Sequence, residues 1–508
     1  MRGSVTSLAV CVAIALSLTV FVPVGTEGDG ALPTVDGMPV VVLSGTHEER
    51  GAAYGEAVGP MIRDNLGRFW DEARAKGMDR GAMAARALEL SPSMPEHMVT
   101  EIRAMAAASG VDFGELLAMN MFGSSVRSHD GCTIVVAVGS GSESGNTMAS
   151  KTRDANAPNV LLIVEPIDGK HGFMAVAGAG DWGISFGIND QGLADGNNWV
   201  PVPEYFEGGW DENPLNRYVL EMCADVDESI ELVSTVDKYG GTSVMVADKD
   251  SAAFIEAVSS CYSFGDGEDT TWVEITDGVA VHTNHYILDP FFGWVVDDDF
   301  GYFWVASVSR MDRAYELLDG SGEVVSAQKL ASFTRDVDNY GCAQPWEIIE
   351  RHLDEMPWGT WGFGWPGYSI CNIRTVAAGV FEIDPDHPET MSVMWTSVNC
   401  PGYTPYFPLH NGLMQRPTEL AEALSAYVDG TVWKAASLLR EGTFAAWIEL
   451  APVLNGWEAG AFEANAEAED LAEQALASGD MDGAVSALFD SDTALGLEAY
   501  EFILELSS

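Results

Sequence analysis

His129-Asp130-Gly131-Cys132-Thr133 stands where a helical stretch gives way to a run of short strands, and the character of the chain on its two sides sets the fold class. Upstream, from Ser44 to Gly123, the pattern is helical. Thr46 followed by Glu49 makes a capping-box start, and Val58, Ile62 and Leu66 then recur at helical spacing, with Pro60 expected to kink the helix. A second helix is expected over Pro95–Ala108, stopped by Gly110, and Asp112 is placed to cap a third that carries Leu116, Leu117 and Met121. Downstream, short strands separated by Gly, Asn and Asp are expected at Thr133–Val138, Thr147–Lys151, Val160–Glu165, Phe173–Ala177 and Gly183–Ile188. Hairpin signals follow at Asn189–Gly192, at Lys249-Asp250 and at Thr276–Gly278, with helices expected over Leu215–Val236 and Ser309–Leu318. Strands return near Thr375–Ile383 and Met391–Thr396, and beyond about Pro417 the chain turns rich in Ala, Glu and Leu. Antiparallel strands with helices inserted as blocks describe an α+β layered domain rather than a doubly wound sheet.

The chain has 508 residues with 77 Asp+Glu against 25 Lys+Arg, a net charge of −52. With 47% hydrophobic residues it has ample material for a core, so it is no disordered acidic tail. That charge repels nucleic acid and anionic lipid, and excludes a phosphate-reading surface. Only seven of the basic residues are lysines, and the carboxylates are spread along the whole chain. This pattern points to life in high salt: at ~1 M the screening length is about 3 Å, and neighbouring carboxylates hardly feel one another.

Residues 1–25 combine Arg2 with an apolar run from Leu8 to Val24 and small residues near Gly25, as in a secretory signal peptide; an uncleaved N-terminal anchor is the other reading. A secreted or cell-surface location follows from either. Of the seven cysteines, removal of Cys11 with the signal leaves six, an even number that invites disulfides in an exported protein, although a reserved Cys132 would leave five. No CxxC pair or metal-ligand spacing occurs, and neither a Walker A loop nor a GxGxxG unit is present, so no metal or other cofactor is expected.

A Gly-Cys junction between two structural regions can be cut by its own thiol. The sulfur attacks the Gly131 carbonyl, the acyl group moves from N to S, and water releases it, leaving Cys132 with a thiol nucleophile and a free α-amine. With a reference pKa near 8, that amine can act as general base without a histidine. His129 and His285 make a papain-like Cys-His pair the weaker alternative. Several further stretches occur in order with the junction: Gly45–Gly51 with Tyr54-Gly55, Gly110–Phe113 with Leu116–Asn120, Lys151-Thr152-Arg153-Asp154, Gly187–Leu193 with Asn197-Asn198-Trp199, His282–His285 and Ser307–Arg310. In this set the sequence resembles the N-terminal nucleophile (Ntn) hydrolases, and among them the self-cleaving acyltransferases like isopenicillin-N acyltransferase. The helical block ahead of the cysteine favours that branch over the penicillin V and bile-salt amidases.

The resemblance implies a four-layer αββα sandwich with an N-terminal helical segment (38–131, the small chain after cleavage), a core at 132–412 and a C-terminal helical extension at 413–508. It also implies roles. Cys132 forms a thioester with an N-acyl compound, Asn284 and Asn198 donate to the oxyanion, Asp154 orients the α-amine, and Arg310 favours the thiolate. Lys151 and Arg153 are candidate substrate-binding residues, Lys151 standing where amidase relatives carry arginine. The expected partners are a small N-acyl substrate and the two cleavage fragments, which remain associated. A dipeptidase of the same superfamily and a catalytically silent binding protein are the competing readings. The aromatic clusters Trp358–Trp365 and Gly402–Tyr406 are expected to pack rather than to line an acyl pocket.

Overall fold

Two sheets face each other, and helices cover both outer faces. The computed structural model describes residues 38–127, 131–155, 157–264, 268–294, 301–319, 324–337, 369–372, 374–397, 399–424 and 444–507. His129, Asp130 and the Trp358–Trp365 cluster lie outside the described residues.

The eight-stranded sheet runs β1 (Val40–Leu43), β4 (Asn159–Val164), β5 (Phe173–Gly178), β6 (Phe186–Asn189), β7 (Ala194–Val200), β8 (Gly241–Ala247), β9 (Ala252–Ala257) and β10 (Thr270–Ile275). The six-stranded sheet runs β11 (Gly278–His282), β2 (Cys132–Val138), β3 (Thr147–Asp154), β12 (Thr375–Ile383), β13 (Val393–Ser397) and β14 (Tyr406–Phe407). Alternation along the strands sorts the core into layers. Ile134, Val136 and Ala149 of one sheet meet Leu161, Ile163, Met174, Phe186 and Phe254 of the other. Val160, Leu162, Ala175 and Val246 turn outward to a helical layer. Val135, Ala137, Met148 and Val380 face the opposite helical layer. The result is the expected αββα order.

The first helical layer comprises α1 (His47–Ala75), α2 (Arg80–Leu90), α3 (Glu96–Ser109), α4 (Phe113–Met121), the single turn α5 (Gly123–Val126), α6 (Glu212–Met222) and α7 (Val226–Thr235). The capping box forms at Thr46 and Glu49. The α1 backbone leaves helical geometry at Val58 (φ −127°), two residues before Pro60, whose ring clashes with the preceding turn. Gly110 closes α3 at φ 73°, and Asp112 caps α4 through the Glu115 amide at 3.1 Å. One expected helix divides: Leu215–Val236 breaks into α6 and α7 because Asp225 caps a new start at the Glu228 amide. The N-terminal segment is also more than a helical block, since β1 pairs in parallel with β4 and stitches it into the sheet.

On the opposite side lie α8 (Gly301–Asp319), α9 (Ala327–Thr334) and the antiparallel pair α10 (Phe444–Ala477) and α11 (Met481–Ser507). Ala461 and Leu495 join the outer cluster with Trp395, while Ala472, Leu488 and Ile503 join the one with Phe407 and Leu409. The C-terminal extension is therefore built into the core. Among the described residues no helix is long and apolar enough to cross a membrane.

Candidate active site

Cys132 opens β2, between β11 and β3 in the six-stranded sheet, where the strand register gathers the other groups. It pairs with Arg153 on β3, Asp154 pairs with Thr375 on β12, and His282, the last residue of β11, pairs with Ile134. Four strand ends therefore converge, and the turn after β11 brings Asn284 above the cysteine.

The Cys132 amide donates to Asn284 Oδ1 at 2.8 Å. Asn284 Oδ1 also accepts from Arg310 Nη2 at 2.7 Å, and Asn284 Nδ2 donates to Trp199 O at 2.8 Å. Two donors on one side and a carbonyl on the other fix which end of the amide is oxygen. One Nδ2 hydrogen is thus committed to Trp199, leaving the second for the cleft that Asn284 lines. Arg310, fully buried on α8, donates to Cys132 O and to Thr133 Oγ1. Burial pulls its pKa down, while Asp154 and Cys132 push it back up. The same helix clamps the turn: Ser307 Oγ accepts from the Asn284 amide at 2.6 Å and bonds His285 Nδ1 at 2.8 Å, so the described contacts of His285 run to this clamp.

Asp154 lies on the β3 face opposite to Arg153 and accepts from Thr375 Oγ1 at 2.6 Å and Asn372 Nδ2 at 2.9 Å. Burial raises its pKa to about 6, against the lowering effects of Arg310 and these two bonds. Its backbone amide approaches Gly131 O at 3.3 Å. Gly131 has φ 130°, and a Cβ there would fall 2.8 Å from Arg310 Nη2 and 3.0 Å from Asp154 Oδ2. Both conformation and space require glycine before the cysteine.

The remaining sequence-derived candidates divide. Lys151 is fully buried between the sheets and donates to Asn197 O. Arg153 reaches the cleft and donates to Asn159 Oδ1. Burial lowers its pKa, opposed by Asp181. Asn198 is turned into the layer between the sheets, donating to His282 O at 3.1 Å, and it is its neighbour Asn197 that lines the cleft. Strand alternation separates the two, and the sequence motif Asn197-Asn198 does not say which faces the nucleophile. Tyr403 and Tyr406 are fully buried, bonded to Asn399 and Thr334, as packing residues.

The cleft above Cys132 opens to solvent, and the space within and at its mouth amounts to about 570 Å³. Glu72 and Arg127 from the N-terminal segment enter it, as do Ser185, Glu212 and Asn213. None of these five stood out in the sequence, because each comes from an ordinary helix or turn. Burial and the adjacent Asp211 raise Glu212 to about 8. Thr375 and Asn372, which hold Asp154, sit far along the chain and carry no local signal either.

Residues 143–347 match the family model described as acyl-coenzyme A:6-aminopenicillanic acid acyl-transferase. No curated protein matches the chain. Among solved structures, penicillin V acylase from Agrobacterium tumefaciens is 16% identical, covers 55% of this chain and 86% of its own, and gives a TM-score of 0.30. A mutant of conjugated bile acid hydrolase from Clostridium perfringens is 12% identical, at 55% and 92% coverage and TM-score 0.32. The Caenorhabditis elegans N-acylethanolamine-hydrolyzing acid amidase ortholog is 14% identical, at 51% and 98% and TM-score 0.29. The segment from residue 143 to residue 347, which contains Asp154, Asn284 and Arg310, therefore carries the acyl-transferase family pattern, in keeping with the resemblance of the chain's motifs to the N-terminal nucleophile hydrolases.

Proposed function

We propose that the protein is a self-processing cysteine amidohydrolase or acyltransferase that breaks the amide bond of a small N-acyl compound. One observation carries this reading: the backbone nitrogen of Cys132, the atom that would become the α-amine, is held by Asn284 Oδ1 beside Arg310 and Asp154. In the precursor, Cys132 Sγ attacks the Gly131 carbonyl carbon. The C–N bond breaks as nitrogen takes a proton, and the resulting thioester is hydrolysed to a Gly131 carboxylate and the Cys132 thiol.

The freed amine then takes the proton of the thiol as sulfur attacks a substrate carbonyl. The second N–H of Asn284 stabilises the oxyanion, a contribution of about 3 kcal/mol for one such donor. The protonated amine passes its proton to the leaving nitrogen, and water or an acceptor amine resolves the thioester. Asp154 keeps the amine oriented only while ionised. The rate is therefore expected to fall as pH falls through about 6, the value at which burial leaves its carboxyl half protonated. Export to a salt-rich, extracytoplasmic compartment belongs to the same proposal, supported by residues 1–25 and the charge of −52.

The test is N-terminal sequencing of the mature protein after denaturing electrophoresis from high salt. Two fragments are expected, the larger beginning at Cys132, and Cys132→Ala should give one chain that takes up no acyl group. An uncleaved wild-type chain would sink the proposal.

A further inference from the structure

Behind Asp154, on the side away from the cleft, two thiols meet. Cys371 Sγ and Cys400 Sγ lie 3.3 Å apart and both residues are buried to within 1%. Cys371 belongs to the turn Ser369–Asn372, which the Ser369 hydroxyl braces by donating to Cys371 O at 2.7 Å. The next residue, Asn372, donates to Asp154 Oδ2, and its backbone amide is fixed by Thr375 Oγ1 at 2.9 Å, the same hydroxyl that donates to Asp154 Oδ1. Cys400 sits in a separate turn after β13, where its carbonyl accepts from the Tyr403 and Thr404 amides at 3.2 and 3.1 Å. The two cysteines thus join the support of a candidate site residue to a second, independently bonded turn. We propose that Cys371 and Cys400 form a disulfide, and that this crosslink fixes the turn from which Asn372 holds Asp154.

The sulfurs need to close by only about 1.3 Å to reach bonding distance. Two thiols must lose two protons and two electrons, and a low-molecular-weight disulfide such as oxidised glutathione supplies the oxidant. One cysteine thiolate attacks it, giving a mixed disulfide and one reduced glutathione. The second cysteine sulfur then displaces the other glutathione, closing the bond. Burial pushes the Cys371 thiol well above its ordinary value, so in the folded protein this thiolate is scarce. The bond therefore forms while the chain folds, and once closed it resists reductants. This separates the pair from Cys132, which opens onto the cleft.

The test uses the full chain refolded in high salt with oxidised glutathione and, in parallel, with reduced glutathione, then unfolded in N-ethylmaleimide without reductant. Arg374 lies between the two cysteines, so trypsin places them on separate peptides that only the crosslink keeps together. After oxidising refolding, a linked pair lighter by two hydrogens than the free peptides is expected, and after reducing refolding, two labelled peptides. Labelling of both cysteines in the oxidised sample, or linkage of either to Cys261 or Cys342, overturns the proposal. The oxidised form is expected to melt about 3 °C above the reduced one, and Cys400→Ala should melt at the same temperature in both conditions. Equal melting of the oxidised and reduced wild type would remove the fixing role.

Discussion

The helices that precede Cys132 and those that end the chain both cover a sheet, but they are attached differently. The N-terminal segment adds a strand, β1, to the eight-stranded sheet, so backbone hydrogen bonds as well as side chains hold it. Its α3 places Glu101 against Arg217 of α6 at 2.6 Å, and Arg217 also pairs with Glu221, all three being buried. The C-terminal helices contribute no strand. They are held by apolar packing, by Arg335 donating to both oxygens of Glu458, and by His410 bonded to Asp492 and Glu469. The N-terminal segment also supplies Glu72 and Arg127 to the cleft, whereas among the described residues nothing from the C-terminal helices lines it. One block is part of the site and the other supports the sheet behind it. Cutting at Gly131 should therefore leave the N-terminal fragment in place, because separation would strip a sheet edge and leave Arg217 and Glu221 buried without Glu101.

The largest effect should come from breaking these buried ions. Arg217→Ala leaves Glu101 and Glu221 without their shared partner and is expected to cost about 3–5 kcal/mol in denaturant unfolding. Arg335→Ala strands Glu458 in the same way and should cost a similar amount, but with cleft chemistry retained at low denaturant and faster proteolysis within residues 444–507. If both variants lose cleft chemistry together, the two blocks are not the separate attachments described above.

Alkali probes the C-terminal attachment through His410. His410 is fully buried, and its pKa rises to about 10: burial opposes the charge, but Asp492 and Glu469 outweigh it. A group raised in the folded state stabilises fully below its ordinary value near 6.5 and loses that contribution as pH climbs through about 10. Denaturation midpoints should therefore fall from pH 8 to pH 10.5, and Asp492→Asn should flatten that fall. An equal slope in wild type and variant would remove His410 from the attachment.

The N-terminal block has its own point of intolerance. Gly51 and Gly55, one turn apart on α1, let α3 approach so closely that a Cβ at Gly51 would fall against Glu101 O and one at Gly55 against Met105 O. Gly51→Ala should overpack this crossing and cost about 1–3 kcal/mol, a loss that the C-terminal helices, packed through larger side chains, would not show on Gly460→Ala.

The sequence was most legible where structure is local. Caps at Thr46 and Asp112, the Gly110 stop and the strands that follow Cys132 come from neighbouring residues, whereas β1 carried no such signal and the αββα order was implied by the family resemblance. Asp154, Asn284 and Arg310 were recognisable from motif order, and the structure brings them around Cys132. What stayed hidden was tertiary. Thr375 and Asn372 become the partners of Asp154 only when β12 pairs with β3, and Glu72 enters the cleft only after α1 packs. Asn197 and Asn198 show the limit within one motif: the residue type was evident, but the face depends on a strand register that no local signal sets.

The smallest expected effect bears on whether these pieces act independently. Thr46 accepts from the Glu49 amide at 3.3 Å and Glu49 Oε2 accepts from the Thr46 amide at 2.8 Å, so two of the free amides at the α1 start are satisfied by a contact exposed to solvent. Thr46→Ala removes the hydroxyl together with the exposed γ-methyl and should cost about 1 kcal/mol. Because the box lies at the β1–α1 turn, far in sequence from the cleft residues Glu72 and Arg127, the loss should appear in the denaturation midpoint without altering the rate at which Cys132 is acylated. A fall in that rate would mean that the α1 start transmits to the cleft, and that the N-terminal block moves as one lever rather than resting on several separate attachments.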